Sequence, residues 1–416
     1  MVDKNLFLYN LAVVSILKCE GPYLKEWLDY HLLAGVEHFY LYDNESPDNQ
    51  AEVVKPYVEA GLVDYFPLPG KAMQIVAYND APNRFKFYCR YMTFIDGDEF
   101  VYPKVDGGGV ITTVVDEILS HNPNAAGLAV NLHNFGSNGQ EKADYSRGVL
   151  ERFTRRAPRD WRNNKHVSTI ANPRKITFLV NPHFPIYFEG FHSVNEKGGI
   201  VTGPFNEPVT DEKIVMNHYH TKSREEYKVK KIRGIGTAVT GPNYSEAQFN
   251  SHNTNDEFDD GILRYRAERA KNFRPPDKSH TFQRLFNALA KNLSPTLLPT
   301  TPPQFYAGKM ETFLTCRAAA EYLKTKLNDD TPAKFFEDAS LKAIIKSFNG
   351  MSFADSRLLI RELPNLLRLP YPAVKDLRNA CLRIIPQMMD IMHLNNMWKD
   401  YVELDYLQNL LKLKEV

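Results

Sequence analysis

The 416-residue chain is poor in cysteine, carries almost no net charge and has no long apolar run. Each shortage excludes a class of protein. The four cysteines, Cys19, Cys89, Cys316 and Cys381, are far apart and show no CxxC or Cys/His zinc spacing, so neither a disulfide framework nor a structural zinc site is expected. The 51 Lys and Arg against 50 Asp and Glu, a formal charge of +1, lack the basic excess of a dedicated nucleic-acid binder. Leu11–Leu17, the longest apolar run near the N-terminus, has seven residues, whereas roughly 20 are needed to span a bilayer. The opening MVDKNLFLYN does not read as a secretory signal. What is present is apolar substance: 43% hydrophobic and 12% aromatic residues, enough for two or three packed domains. The expectation is a cytoplasmic, reduced enzyme.

The first hundred residues alternate between strand and helix patterns. Leu11–Leu17 is a β-branched run suited to a strand buried on both faces. Gly21-Pro22 opens a helix whose stripe is Leu24, Trp27, Leu28, His31 and Leu32, and Gly35 supplies its stop. Strands follow at Val36–Tyr42, Leu62–Phe66 and Tyr91–Ile95, with helices at Ala51–Ala60, distorted by Pro56, and Ala72–Arg90, broken near Pro82. This order predicts an α/β fold with a mainly parallel sheet and flanking helices. Such sheets bind ligands beyond the carboxyl ends of their strands. The loops to watch are therefore Lys18-Cys19-Glu20, Asp43-Asn44-Glu45 and Asp96-Gly97-Asp98-Glu99, all polar and all acidic. Residues 106–275, rich in Asn, Gly, Pro and His as in Asn131–Gly139 and Asn181–Gly190, read as a substrate-binding half of polar loops between short strands. Ser223–Arg233 is a helix with a Ser223/Glu226 capping box. After the break at Phe273–Lys278 and the proline-rich strap Asn292–Phe305, residues 281–416 read as an all-helical accessory region interrupted at Gly350, Pro364, Pro370–Pro372 and Pro386. Its 18 basic against 14 acidic residues favour packing or homodimerisation over peripheral contact with an anionic membrane.

Two carboxylates two apart at a strand end can converge on one hard cation, which makes Asp96 and Asp98 candidates for Mg²⁺ or Mn²⁺. The alternative is a solvated acidic turn. Asp43 suits ribose hydroxyls or base N–H groups, and equally an Asx-turn, since DNESPDN has turn composition. His218 and His220 alternate on a β-like run and so share a face. A neutral imidazole there can be a third metal ligand, or a partly buried, hydrogen-bonded histidine. Lys18, Arg84, Lys86 and Lys222 could meet phosphate oxygens. Gly107-Gly108-Gly109 lacks a phosphate-loop pattern and reads as a connector. No GxSxG elbow accompanies the serines, and Cys19 reads as a small buried thiol.

Leu17–Glu20, Tyr23–His31, Gly35–Tyr40 and Asp43–Asp48 resemble the opening of glycosyltransferase family 92 and its bacterial family-2-like relatives. Phe94-Ile95-Asp96-Gly97-Asp98-Glu99-Phe100 is similar to that family's D-x-D-E-F motif, and Phe135–Gly139, Glu151–Phe153, Asn217–Tyr219, Lys222–Glu226 and Lys230 continue the likeness in order. The resemblance covers roughly residues 10 to 235. It implies a GT-A fold with residues 1–105 as its nucleotide-sugar-binding half and 106–275 as its acceptor-binding half, a UDP-sugar donor, a divalent metal and inverting transfer to a glycan or lipid-linked glycan acceptor, with galactose as the candidate sugar. By the same likeness Asp98 is the main metal ligand, Asp96 binds ribose or the metal through water, and His218 completes the metal site. Asp43, Lys18 and Glu20 would border the nucleotide. Glu151 is the expected general base, with an ion pair to Arg155 as its alternative role and Asp144, Glu189 and His133 as competitors. Gly97 stands where relatives often carry a bulkier residue, and Asn79-Asp80 where a His/Cys pair is expected.

Two rivals remain at this point. A haloacid-dehalogenase-like phosphohydrolase also opens its site with DxD after a strand, but wants Thr or Val where Glu99-Phe100 follows. A non-catalytic GT-A-like glycan-binding or scaffold protein would be indifferent to metal.

Overall fold

The computed structural model describes residues 2–105, 107–233 and 245–273, and beyond them 281, 284, 285, 287, 288, 309–327, 355, 358–362, 373–394, 405 and 408. The chain divides into two compact units: Tyr9–Pro276, and a second formed by Met1–Leu8 with Asp277–Val416.

The larger unit begins with β1 (Tyr9–Leu17), α1 (Gly21–Leu33), β2 (His38–Asp43), α2 (Gln50–Glu59), β3 (Val63–Pro67), α3 (Gln74–Phe85) and β4 (Cys89–Phe94). Then come β5 (Glu99–Pro103), α4 (Ile111–Ser120), β6 (Ala125–Asn134), α5 (Val149–Arg152), β7 (Arg155–Arg156), β8 (Val167–Ala171), β9 (Ile176–Asn181), β10 (Phe184–Tyr187), β11 (His192–Val194) and β12 (Ile200–Val201). It closes with β13 (Ile214–His218), α6 (Arg224–Arg233), α7 (Glu246–His252), β14 (Glu257–Phe258) and α8 (Gly261–Asn272). The main sheet runs β12-β11-β6-β8-β4-β1-β2-β3, with β13 joined to β5 and β6. Strands β3, β2, β1 and β4 are all parallel, as the alternating pattern requires. β8 enters antiparallel between β4 and β6, and β13 runs parallel to β6 but antiparallel to β5. The result is the expected mixed α/β architecture, with a parallel half and flanking helices.

β1 is buried on both faces, and its alternation divides the core. Leu11, Val13 and Leu17 pack with Trp27, Leu28, Phe39 and Leu41 on the α1 side; Ala12 and Val14 pack with Tyr40, Tyr42, Ala77 and Tyr78 on the α3 side. Gly35 ends α1 at φ +97°, where a Cβ would lie 2.6 Å from Val110 Cβ. Only glycine serves both demands.

Several expectations need correction. α3 runs through Pro82 without a break and stops at Phe85, five residues before Arg90, because Cys89 is already in β4. Pro82 is buried against this core, and packing offsets a proline cost of about 3 kcal/mol. Asn131–Asn134 is not loop but the end of β6. Asn131 fits there because its side chain donates to the Asn164 and Asn206 carbonyls at 3.0 and 3.1 Å and accepts from Asn206 Nδ2 and Thr210 N, tying two loops to the strand.

In the smaller unit, α9 (Lys309–Leu327) and α10 (Ala373–Leu394) are the long described helices, and α10 continues through Pro386 rather than breaking there. Arg284 donates to the carbonyls of Phe7 and Leu8 at 2.8 and 3.2 Å, so the first residues belong with this unit. The strap Asn292–Phe305 and the breaks at Gly350, Pro364 and Pro370–Pro372 lie outside the described residues. Among the described residues no helix is long and apolar enough to cross a membrane.

Candidate functional site

The parallel registers Leu17↔Asp43 and Val14↔Phe94 bring the ends of β1, β2 and β4 to one edge of the sheet. Lys18-Cys19-Glu20, Asp43-Asn44 and Asp96–Asp98 follow there directly. The first two loops are laced together. Cys19 N donates to Ser46 Oγ at 2.7 Å, and Gly21 N donates to Asp48 Oδ2 at 2.8 Å, so Asp48 satisfies a donor at the start of α1. Asp43 Oδ1 accepts from Ser46 N at 3.0 Å and Gln50 Nε2 at 3.3 Å. The turn role open to Asp43 is therefore occupied by one of its two oxygens.

Gly97 has a steric reason. A Cβ there would lie 3.0 Å from Leu17 Cδ2 and 3.1 Å from Glu20 Cγ, so its absence lets buried Glu20 close over the DxD turn. Lys222 Nζ stands 3.6 Å from Glu20 Oε2 and 3.8 Å from the centroid of the Tyr23 ring. Asn79, where a His/Cys pair was expected, bridges α3 to β9 through Leu179 N and O, both at 2.8 Å.

Asp98 is the centre of the site. Tyr219 N donates to its carbonyl at 2.9 Å, bringing the end of β13 over the DxD turn. One ligand atom from each of Asp98, His218 and His220 lies within 4.8 Å of the others. His218 Nε2 is 3.6 Å from Asp98 Oδ1, and His218 Nδ1 is buried with no hydrogen-bond partner among the described residues. Burial, partly offset by Asp98, lowers the His218 imidazole to about 3. Burial and the nearby Lys230 ammonium lower His220 as well. Both rings are therefore neutral at physiological pH, the form that ligates metal. A carboxylate and two neutral imidazoles in this spacing fit one divalent ion, with a donor set closer to the preferences of first-row metals than to those of Mg²⁺.

The same carboxylate already meets a cation. Lys230 Nζ lies 2.5 Å from Asp98 Oδ2 and 3.2 Å from both His220 Nδ1 and the His220 carbonyl. Burial alone would raise the Asp98 carboxyl, but the Lys230 ammonium foremost, with Lys222 behind it, holds it well below the usual carboxylate range. Its neighbour Glu99 moves the other way. Burial, with the charges of Asp96 and Asp98, pushes it well above its ordinary value. Asp96 does not converge with the three ligand atoms; its Oδ1 accepts from Gln74 Nε2 at 2.6 Å and Tyr78 Oη at 3.2 Å.

Lys230 is delivered by a fixed helix. The Ser223/Glu226 capping box forms, with Ser223 N to Glu226 Oε2 at 3.0 Å and Glu226 N to Ser223 Oγ at 3.3 Å. Buried Arg152 grips the same carboxylate through its two terminal guanidinium nitrogens at 2.8 and 2.6 Å, and Tyr23 Oη adds a bond at 3.0 Å. Lys230 follows Glu226 by one turn on the same face.

The base candidates lie elsewhere. Glu151 pairs with Arg266 at 2.6 Å, not with Arg155, and has no bond to the Asp98 cluster. Asp144 is half-buried and accepts from Ser146 N and Oγ, and Glu189 is exposed. His133 is fully buried between Asp211 at 2.8 Å and Asp259 at 3.9 Å. Sequence reasoning paired His220 with His218 but assigned it no role, although the His-x-His spacing signals both. No sequence signal pairs Lys230 with Asp98 across 132 positions.

The family model for glycosyltransferase family 92 matches residues 21–257, which include the DxD turn, β13 and α6. The chain belongs to glycosyltransferase family 92. A family-92 protein of Ricinus communis, RCOM_0530710, is 28% identical over 232 residues, covering 56% of this chain and 39% of that protein. A family-92 protein of Oryza sativa subsp. japonica, Os08g0121900, is 26% identical over 233 residues, covering 56% and 36%. The galactan beta-1,4-galactosyltransferase GALS2 of Arabidopsis thaliana is 32% identical over 89 residues, 19% of this chain and 17% of that one. The chain thus spans well under half the length of the curated family-92 relatives it matches. Among solved structures, S. aureus TarS 1-349 in complex with UDP aligns over 86% of this chain and 87% of that one at 12% identity and a TM-score of 0.31, too slight a likeness to argue from.

Proposed function

We propose that this family-92 protein is a metal-dependent glycosyltransferase that moves a sugar from a UDP-linked donor to a hydroxyl of a glycan or lipid-linked glycan acceptor with inversion. The observation that carries the reading is the convergence of Asp98, His218 and His220 beyond the carboxyl end of β4, where nucleotide ligands lie in sheets of this kind. Asp98, with His218 and His220, would hold Mn²⁺ in preference to Mg²⁺. When bound, the ion supplies positive charge that stabilises a departing diphosphate. Lys18, Glu20 and Asp43 border the same edge and would position the nucleotide, Asp43 through the carboxylate oxygen not engaged by Ser46 and Gln50. Asp96, held by Gln74 and Tyr78, would meet ribose or a metal-bound water. Glu20 and Lys222 close the wall beside the DxD turn. The name of the matched galactosyltransferase makes UDP-galactose the first donor to try. Glu151 remains the base to test first among the acids outside this cluster.

The test is calorimetric titration of UDP with Mn²⁺ and with EDTA, repeated on Asp98→Ala, followed by a screen of UDP-sugars. Binding that requires the ion and disappears in a folded Asp98→Ala variant is the expected result. Equal UDP binding in EDTA, or an unaffected Asp98→Ala, would overturn the metal reading. Release of phosphate from a generic ester, lost in Asp96→Asn, would revive the phosphohydrolase.

A further inference from the structure

We infer that Lys230 is a tethered cation that competes with the divalent ion for Asp98, so that metal binding requires its ammonium to leave the carboxylate. The inference rests on the metal reading proposed above and goes beyond it, because it assigns a regulating role to a residue outside the ligand set. Three observations carry it. Lys230 Nζ is 2.5 Å from Asp98 Oδ2, so its charge occupies one oxygen of the carboxylate and lies within a few ångströms of any ion that the other oxygen, 3.6 Å from His218 Nε2, would hold. The ammonium also sits 3.2 Å from His220 Nδ1, a ring atom of a second ligand candidate, so one positive charge stands against two members of the cluster. Finally, Asp98 is 2% exposed. A carboxylate so buried needs a cation beside it, and among the described residues Lys230 is the ammonium in contact with it.

The carrier suits the task. Helix α6 is held by the Arg152–Glu226 pair, whereas the lysine side chain has a flexible four-carbon stem and a compact charge. The backbone can stay while the ammonium moves. The exchange is an ion for an ion, and no covalent bond changes. The chain without metal keeps Asp98 neutralised, and a bound ion frees a positive charge at the rim of the same site.

The experiment measures Mn²⁺ affinity by electron paramagnetic resonance of free Mn²⁺, without nucleotide, on the full chain and on Lys230→Met, Lys230→Gln, Lys230→Arg and Asp98→Ala. Removing a positive charge this close to the ion should tighten Mn²⁺ binding by about tenfold or more in the two neutral variants. Lys230→Arg, which keeps the charge, should not tighten it. The neutral variants should melt lower than wild type without metal and regain more on adding it, whereas a merely structural lysine would lower the melting point and leave Mn²⁺ affinity alone. A second measurement needs no variant: acetylation of Lys230 in the wild-type chain, read by mass spectrometry, should rise when Mn²⁺ is added. Unchanged or weaker Mn²⁺ binding in the neutral variants, or unchanged labelling of Lys230 at saturating Mn²⁺, overturns the inference while leaving the metal site standing if Asp98→Ala loses the ion. Absence of Mn²⁺ binding in every chain overturns both.

Discussion

Two histidine–carboxylate clusters lie on opposite faces of the β6–β13 pair. Asn217 pairs with His133 and His218 with Asn134, so His133 and His218 point to opposite sides. Around His133 the acids diverge. Asp211 meets Nε2 at 2.8 Å, and Asp259 lies 3.9 Å from Nδ1, on the other edge of the ring. Each acid has its own guanidinium, Arg159 at 2.8 Å for Asp211 and Arg156 at 2.8 Å for Asp259, with Lys104 3.7 Å from Asp211. Around His218 the groups converge: one carboxylate, two imidazoles and the ammonium of Lys230 in contact with the carboxylate. The same residue types thus make a structural knot on one face and, on the other, a cluster with the spacing of a metal site. What separates them is whether the lone pairs point at a common space and whether the neutralising cation can leave.

The sharpest break of this comparison is Asp98→Ala against Asp211→Ala. The first should abolish Mn²⁺-dependent UDP binding in calorimetry. The second should leave that binding intact and cost about 2–3 kcal/mol in urea unfolding, below the 3–5 kcal/mol of a fully enclosed pair because Arg159 is half-exposed. Next come the histidines. His218→Ala should weaken Mn²⁺ affinity without an equal loss of stability, whereas His133→Gln should cost about 1 kcal/mol of stability with metal affinity unchanged. Acid should then act on the knot. Burial would raise Asp211, but the His133 hydrogen bond and the Lys104 and Arg159 cations hold it at about 2. A carboxyl lowered on folding stabilises above its unfolded value of about 3.9, and this contribution is lost as pH falls from there through about 2. Urea midpoints of wild type and Asp211→Asn should therefore approach one another over that window. The smallest effect on stability is expected from Glu151→Gln, since an exposed pair is worth at most about 1 kcal/mol. An unchanged kcat in that variant would remove Glu151 from the base candidates.

Much of this was legible in the chain itself. The β-branched run at Leu11–Leu17 announced a doubly buried strand, and DxD after an apolar strand announced the edge where Asp98 meets His218 and His220. The Ser223/Glu226 spacing announced the start of α6. Helices through Pro82 and Pro386 were not legible, because tertiary packing offsets a local penalty that sequence reading counts in full. Nor were Asn131 in a strand and the closeness of Glu20 to Gly97, since each depends on what a neighbour lacks or supplies from far along the chain. The family motif placed Lys230 in order but gave it no partner. Its contact with Asp98 exists only once β13 crosses the DxD turn and α6 folds back over it.

The buried grip of Arg152 on Glu226 also bears on how such proteins can be recombined. It joins positions 74 apart and sets where the ammonium-bearing helix lies. A chimera of two family members joined between these positions inherits the arginine from one parent and the capping glutamate from the other. Only parents that agree on both ends can exchange the intervening segment, so this pair marks the span as one unit of inheritance.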